Sequence, residues 1–116
     1  MIRTLAQAVR QVTGARHYFH LLGVHRHSSA MALIRARKDL AMHVHPDQNS
    51  APDAHDMMAR VNAAFQALSA DPEAYVRALG GRRCAACEAR GYTFRQRGFT
   101  KRVETICPAC CGAGVV

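Results

Sequence analysis

Acidic residues are missing from the first third of this chain. Of its eight Asp and Glu residues none precedes Asp39, against sixteen Lys and Arg in 116 residues, for a formal charge of +8. No stretch approaches the ~20 consecutive apolar residues that a membrane-spanning helix needs, so no membrane insertion is expected. The opening residues also lack the apolar block of a secretory signal, and the expected setting is the cytoplasm. A nucleophile beside a base, a phosphate loop and paired carboxylates are all absent, so the chain is not expected to be an enzyme. Charge alone leaves an acidic protein surface, nucleic acid or an anionic surface open as partners. The length leaves room for one ordinary domain or two small ones.

What is present begins with His45-Pro46-Asp47. A residue before proline is biased away from the helical region, and proline donates no backbone hydrogen bond, so this tripeptide ends a helix and displays His45 and Asp47 on a turn. Upstream, Ala30, Leu33, Ile34, Ala36, Leu40, Ala41 and Val44 recur at helical spacing, with Arg35, Lys38 and Asp39 on the opposite face and Ser28 or Ser29 as N-cap. Downstream, Asp53 is expected to cap a second helix, with Asp56 in its first turn and Met57 or Met58, Val61, Ala64, Phe65 and Leu68 buried. Two such helices joined by a short polar loop pack antiparallel. Residues 17–24 read as a short helix ended by Gly23, and Asp71-Pro72 opens another as N-cap and first helical residue.

The second half carries Cys84-Ala-Ala-Cys87 and Cys107-Pro-Ala-Cys110, nineteen residues apart. Each pair can place two thiolates on one knuckle, and two knuckles make a four-sulfur site suited to one zinc ion. Glycines follow both pairs, at Gly91, Gly112 and Gly114, where the backbone must turn around a metal. Disulfides are the alternative, disfavoured because no secretory signal is seen; a redox centre would want a βαβ frame that is absent. Cys111 is the odd thiol, expected to be a non-ligand although it could replace Cys110 in another register. Between the pairs, Tyr92 and Phe94 alternate with Thr93 and Arg95, Arg97-Gly98 offers a turn, and Phe99 to Ile106 can return as a second strand. So small a segment cannot fold on apolar burial alone, which makes metal binding part of its folding free energy.

Residues 17–79 resemble a J-domain, the module that defines the DnaJ chaperone family. The resemblance rests on Tyr18-Phe-His-Leu-Leu-Gly-Val24, Leu40-Ala-Met42, His45-Pro-Asp-Gln48-Asn49 and Val61-Asn-Ala-Ala-Phe-Gln-Ala-Leu-Ser69. Cys107 to Gly114 also matches in full the C-x-x-C-x-G-x-G repeat of the DnaJ zinc region, whereas Cys84 to Gly91 has Ala89 in place of the first glycine. The resemblance implies a mainly α fold: a J-domain helical hairpin with short flanking helices, followed by a small zinc-bound β-hairpin module. The expected division is an N-terminal helical extension over 1–15, a J-domain over 16–80 and a cysteine-rich module over 81–116.

It further implies a co-chaperone that binds a DnaK-type heat-shock ATPase and stimulates its ATP hydrolysis, doing no chemistry itself. His45, Pro46 and Asp47 would be the stimulating loop, and Arg35, Arg37 and Lys38 the basic helical surface that meets an acidic patch on the partner. Five departures temper this. Arg37 stands where the family often has tyrosine, and Asp39 where it often has a basic residue. Only Gly80-Gly81 and two arginines stand where full-length relatives carry a long glycine/phenylalanine linker. Two cysteine repeats replace four, implying one zinc ion, and client-binding β-domains have no counterpart, so an unfolded client is the weaker partner expectation.

A different class of function competes. The cysteine segment also resembles small zinc modules of phage and bacterial nucleic-acid regulators, including antitermination proteins. Arg90, Arg95, Arg97, Lys101 and Arg102, interleaved with Tyr92, Phe94 and Phe99, could touch phosphates and stack on bases. The helices would then serve as scaffold or chaperone-recruiting arm. Ile2, Leu5, Val9 and Val12 share a helical face, with Arg3 and Arg10 among the polar positions. This segment reads as an extension packing on the helical module, with a mitochondrial presequence as the alternative. His43 and His45 lack a third ligand nearby, and His43 suits the C-terminal end of a helix as a positive group. His17, His20, His25, His27 and His55 form no constellation in the sequence.

Overall fold

Short polar side chains set where the helices begin. A computed structural model of the chain describes residues 4–47, 52–98 and 101–116. Ile2, Arg3, Gln48, Asn49 and Phe99 lie outside the described residues, as do the side chains of Arg97, Lys101 and Arg102. Helix α1 (Leu5–Thr13) starts in a capping box: Thr4 Oγ1 accepts from the Gln7 amide while Gln7 Oε1 accepts from the Thr4 amide. Helix α2 (Tyr18–Leu22) is capped by His17 and stops at Gly23, whose φ of +74° only glycine adopts at little cost. Ser29 caps α3 (Ala30–Val44), accepting from the Ala32 amide at 3.2 Å. Helix α4 (Ala54–Ala70) follows the loop, and α5 (Pro72–Leu79) opens with Asp71 accepting from the Ala74 amide and Pro72 in the first turn.

Asp53 occupies the N-cap position of α4 but makes no side-chain cap bond. Its φ of −93° and ψ of 7° depart from the extended conformation that aims a cap side chain at the first-turn amides, so the expected cap is corrected here.

The core forms where α3 and α4 pack and α2 lies across α4. Leu33, Leu40 and Val44 of α3 meet Met57, Val61, Ala64 and Leu68 of α4, with Phe19, Leu21 and Leu22 of α2 filling the remaining side. Each such side chain contributes roughly 1.5–3 kcal/mol on burial. Tyr18 stacks on Tyr75 at 4.9 Å between centroids, tying α5 to α2. Helix α1 adds Ala8 and Val12, both buried, against α2, α3 and α4.

Two apolar residues expected inside are outside. Ile34 is 44% exposed because α4 and α1 cover only the strip of α3 through positions 33, 40 and 44 and Ile34 is rotated about 100° from Leu33; Leu5, in the first turn of α1, is 43% exposed. Of the pair at the start of α4, Met57 is the buried one and Met58 packs only partly.

Beyond Gly80-Gly81 the chain forms a hairpin, β1 (Tyr92–Arg97) and β2 (Lys101–Ile106), antiparallel with Tyr92 opposite Ile106 and Arg97 opposite Lys101. The fold is thus mainly helical with one small sheet beside the cysteines. No helix among the described residues is long and apolar enough to cross a membrane.

Candidate metal centre and partner-binding loop

The two cysteine segments fold as near copies of each other. After Cys87 and Cys110, Glu88 and Cys111 each take φ of 55°; then come Ala89 at 64° and Gly112 at 98°, and the turns close on Gly91 at 84° and Gly114 at 77°. Ala89 therefore adopts the left-handed turn that the repeat assigns to glycine, at a steric cost of roughly 1–2 kcal/mol. The copies also interlock. The Cys84 amide donates to Gly114 O at 3.0 Å, and the Cys107 amide donates to Gly91 O at 3.1 Å. Each knuckle thereby fixes where the other begins. Arg82 and Val116 exchange both backbone hydrogen bonds and close the module at its ends.

This interlock brings the four sulfurs of Cys84, Cys87, Cys107 and Cys110 within 4.8 Å of one another, all four residues buried. Cys87 and Cys110 sulfurs are 3.6 Å apart and those of Cys84 and Cys107 3.9 Å. A tetrahedron with metal–sulfur bonds of about 2.3 Å has edges of about 3.8 Å, so the four donors fit a single tetrahedral ion. Disulfide bonds need about 2.05 Å, and all five cysteines are free. Burial pushes the Cys110 thiol up to about 12 and also raises Cys87. Burial acts upward on Cys107 too, but the amides of Cys110 and Ala109 and the neighbouring thiols outweigh it and bring that group down to about 7. Cys111 lies outside this set, its sulfur 3.7 Å from Pro108 O. Among the described residues the four cysteines are the group gathered for metal, and His43 and His45 are not part of it.

The other candidate surface lies at the far end of α3. Val44 is fully buried and anchors the helix end; His45 then turns out of the helix with ψ of 138°. The Asp47 amide donates to His45 Nδ1 at 3.1 Å, which fixes the imidazole against the loop, and the Asp47 side chain is 84% exposed. Arg35 and Lys38 stand one turn apart on the exposed side of α3. Arg37 does something else: its guanidinium sits 4.4 Å from the centre of the Phe65 ring on α4, bracing the two helices. In the hairpin, Arg95 is exposed, while Tyr92 is half-buried against His25, 4.6 Å between ring centres.

Residues that carried no role in the sequence join the two halves. His17 accepts the His20 amide at Nδ1 and reaches Cys110 O with Nε2 at 2.9 Å. His25, buried, accepts the His27 amide at Nδ1 and meets Glu104 of β2 with Nε2. The Arg26 amide donates to Gly112 O at 2.8 Å, and its guanidinium reaches Ala89 O at 3.2 Å and Glu73 of α5 at 2.5 Å. These partners are 93 and 79 residues apart in the histidine cases, beyond the reach of any local pattern.

Comparison with known proteins covers the helical half. Residues 17–74 match the family model described as DnaJ domain. A protein named Chaperone protein DnaJ from Halalkalibacterium halodurans is 47% identical over 58 residues, which are 50% of this chain and 15% of that protein. A protein of the same name from Synechococcus is 44% identical over 57 residues, 49% of this chain and 14% of the relative. Human DnaJ homolog subfamily C member 18 is 39% identical over 61 residues, 53% and 17% of the two chains. The match therefore spans only about a sixth of the length of these relatives. No solved structure matches the chain.

Proposed function

The chain belongs to the DnaJ-domain family, and on that premise we propose that it is a co-chaperone that binds a DnaK-type heat-shock ATPase and stimulates its ATP hydrolysis. The observation that carries this reading is the display of Asp47: the carboxylate stands in solvent on a loop fixed by His45 and Pro46, at the end of a helix whose last residue is locked in the core. In this reading Asp47 pairs with a basic group on the ATPase, His45 and Pro46 hold the loop in shape, and Arg35 and Lys38 meet an acidic patch on the partner. Such surface pairing raises the encounter rate and sets orientation more than it adds affinity. Arg37 contributes chiefly by holding α3 on α4. The chain itself makes and breaks no bonds.

The same proposal places one zinc ion on Cys84, Cys87, Cys107 and Cys110, a soft all-sulfur set suited to that metal and closed to substrate. Bound there, the ion supplies structural cross-linking, and the cytoplasm is the setting that keeps the thiols reduced. The module boundaries follow as 16–80 for the J-domain and 81–116 for the cysteine module, after an extension over 1–15. Among the described residues no particular contact in the hairpin favours nucleic acid as the ligand.

Single-turnover ATP hydrolysis by a DnaK-type chaperone tests the reading. The wild-type chain is expected to accelerate turnover, and Asp47→Asn, with unchanged circular dichroism, to lose most of that effect. Equal stimulation by both proteins would sink the role of the loop.

A further inference from the structure

Helix α2 is five residues long, far below the length at which a helix persists unaided. Both of its ends are held by the second cysteine knuckle. At the start, the single histidine that caps α2 also binds Cys110 O, one ring nitrogen serving each purpose. At the exit, the amide two residues past Val24 binds Gly112 O, and the approach is so close that a Cβ on Gly112 would collide with Val24 O. Between these two points α2 presents Phe19, Leu21 and Leu22 to the helical core. The knuckle that holds it takes its own shape from strained left-handed turns around four sulfurs, with no apolar cluster of its own beyond those cysteines.

We propose that metal occupancy of the cysteine site controls the order of α2, so that the core of the J-domain is conditional on the metal. The inference rests on the reading of the four cysteines as a metal site. Loading the site fixes the carbonyls of Cys110 and Gly112; emptying it frees both, and α2 loses its clamps at once. The loop with Asp47 lies at the opposite end of α3, about 22 Å away along the helix at 1.5 Å per residue. The metal therefore acts on the interior of the domain rather than by touching the partner-binding loop.

Hydrogen exchange on the full chain, loaded with zinc chloride and then stripped with EDTA, decides the matter. Amides of residues 21–26 are expected to lose protection by about 5- to 150-fold, the usual span of coupling between sites. Loss that spreads to α3 and α4 supports the proposal as well, since those helices share the core of Phe19. Loss confined to residues 82–116 overturns it. Cobalt titration separates the premise from the inference: absence of thiolate-to-cobalt absorption would refute the metal site itself, whereas full absorption with an unaffected α2 would refute only the coupling. Coupling is reciprocal, so His17→Ala, which removes the ring that reaches Cys110 O and leaves all four sulfurs in place, is expected to weaken cobalt binding several-fold. Unchanged affinity in that variant would also overturn the proposal.

Discussion

The helical half and the cysteine half of this molecule solve the same problem with different means. Residues 18–79 bury Phe19, Leu40, Val44, Val61 and Leu68 in a continuous apolar cluster, and each contributes a share that neighbours can partly replace. From Arg82 onward the buried apolar set shrinks to four cysteines, with Ala113 and, in part, Val115 reaching the helical core. Stability that is spread over many side chains degrades in steps; stability focused on four donor atoms is all or none. The difference shows in the backbone too. The helices have ordinary geometry throughout, whereas Glu88, Ala89 and Cys111 hold left-handed conformations that side chains resist. Such turns persist only where something else over-determines them, and here that is the convergence of the sulfurs.

The largest effect should therefore come from removing one sulfur. Cys110→Ser leaves three thiolates, and the module from 82 to 116 is expected to lose metal binding and with it apparent folding energy of the order of 10 kcal/mol. Metal stoichiometry and the amide shifts of β1 and β2 would report it. A variant that keeps one equivalent of zinc and an intact hairpin would mean that Cys111 or another donor replaces Cys110, and the contrast between focused and distributed stability would fail.

A single truncation in the helical half should be severe but not total. Phe19 is 1% exposed, and Phe19→Ala is expected to cost about 3–5 kcal/mol in urea unfolding of the zinc-loaded chain. Ile34→Ala, one of the exposed positions, should fall within about 0.5 kcal/mol of wild type. Should Ile34→Ala cost as much as Phe19→Ala, the helical half would have a second apolar contact surface that its packing against α4 and α1 does not explain.

How far the sequence revealed this depends on the range over which each feature is determined. Ser29, Gly23 and Asp71-Pro72 mark helix ends through contacts three or four residues away, so the helices could be placed from residues alone. The cysteines were legible for the same reason, since each knuckle is a local turn. Asp53 sat where a cap belongs, yet its own backbone angles withheld the bond. Ile34 fitted the helical stripe, but its exposure depends on how wide a strip α1 and α4 cover. His17 and His25 were invisible because their partners, Cys110 and Glu104, become neighbours only after both halves have folded. Ala89 broke the glycine pattern, and its left-handed angle shows that the metal-site geometry dominates the local preference.

The smallest effect separates the two halves by pH. In the cysteine half, with zinc on the proposed site, protons would compete with the metal for the thiolates, so acid would weaken it. The helical half has a group of opposite sense. Burial raises the Tyr75 phenol above its ordinary 10.0, with the neighbouring Tyr18 phenol adding to the rise and the Tyr18 amide, which donates to Tyr75 Oη at 2.9 Å, working against it. A raised value means that the folded state prefers the neutral phenol. Its contribution is fully present below pH 10 and is lost as pH rises through the folded value, where the unfolded chain has already released its proton. Urea midpoints of the zinc-loaded chain should therefore decline as pH rises above 10, and Tyr75→Phe should flatten that decline while lowering the plateau by about 1 kcal/mol for the lost acceptor. An identical decline in the variant would move the alkaline sensitivity away from Tyr75.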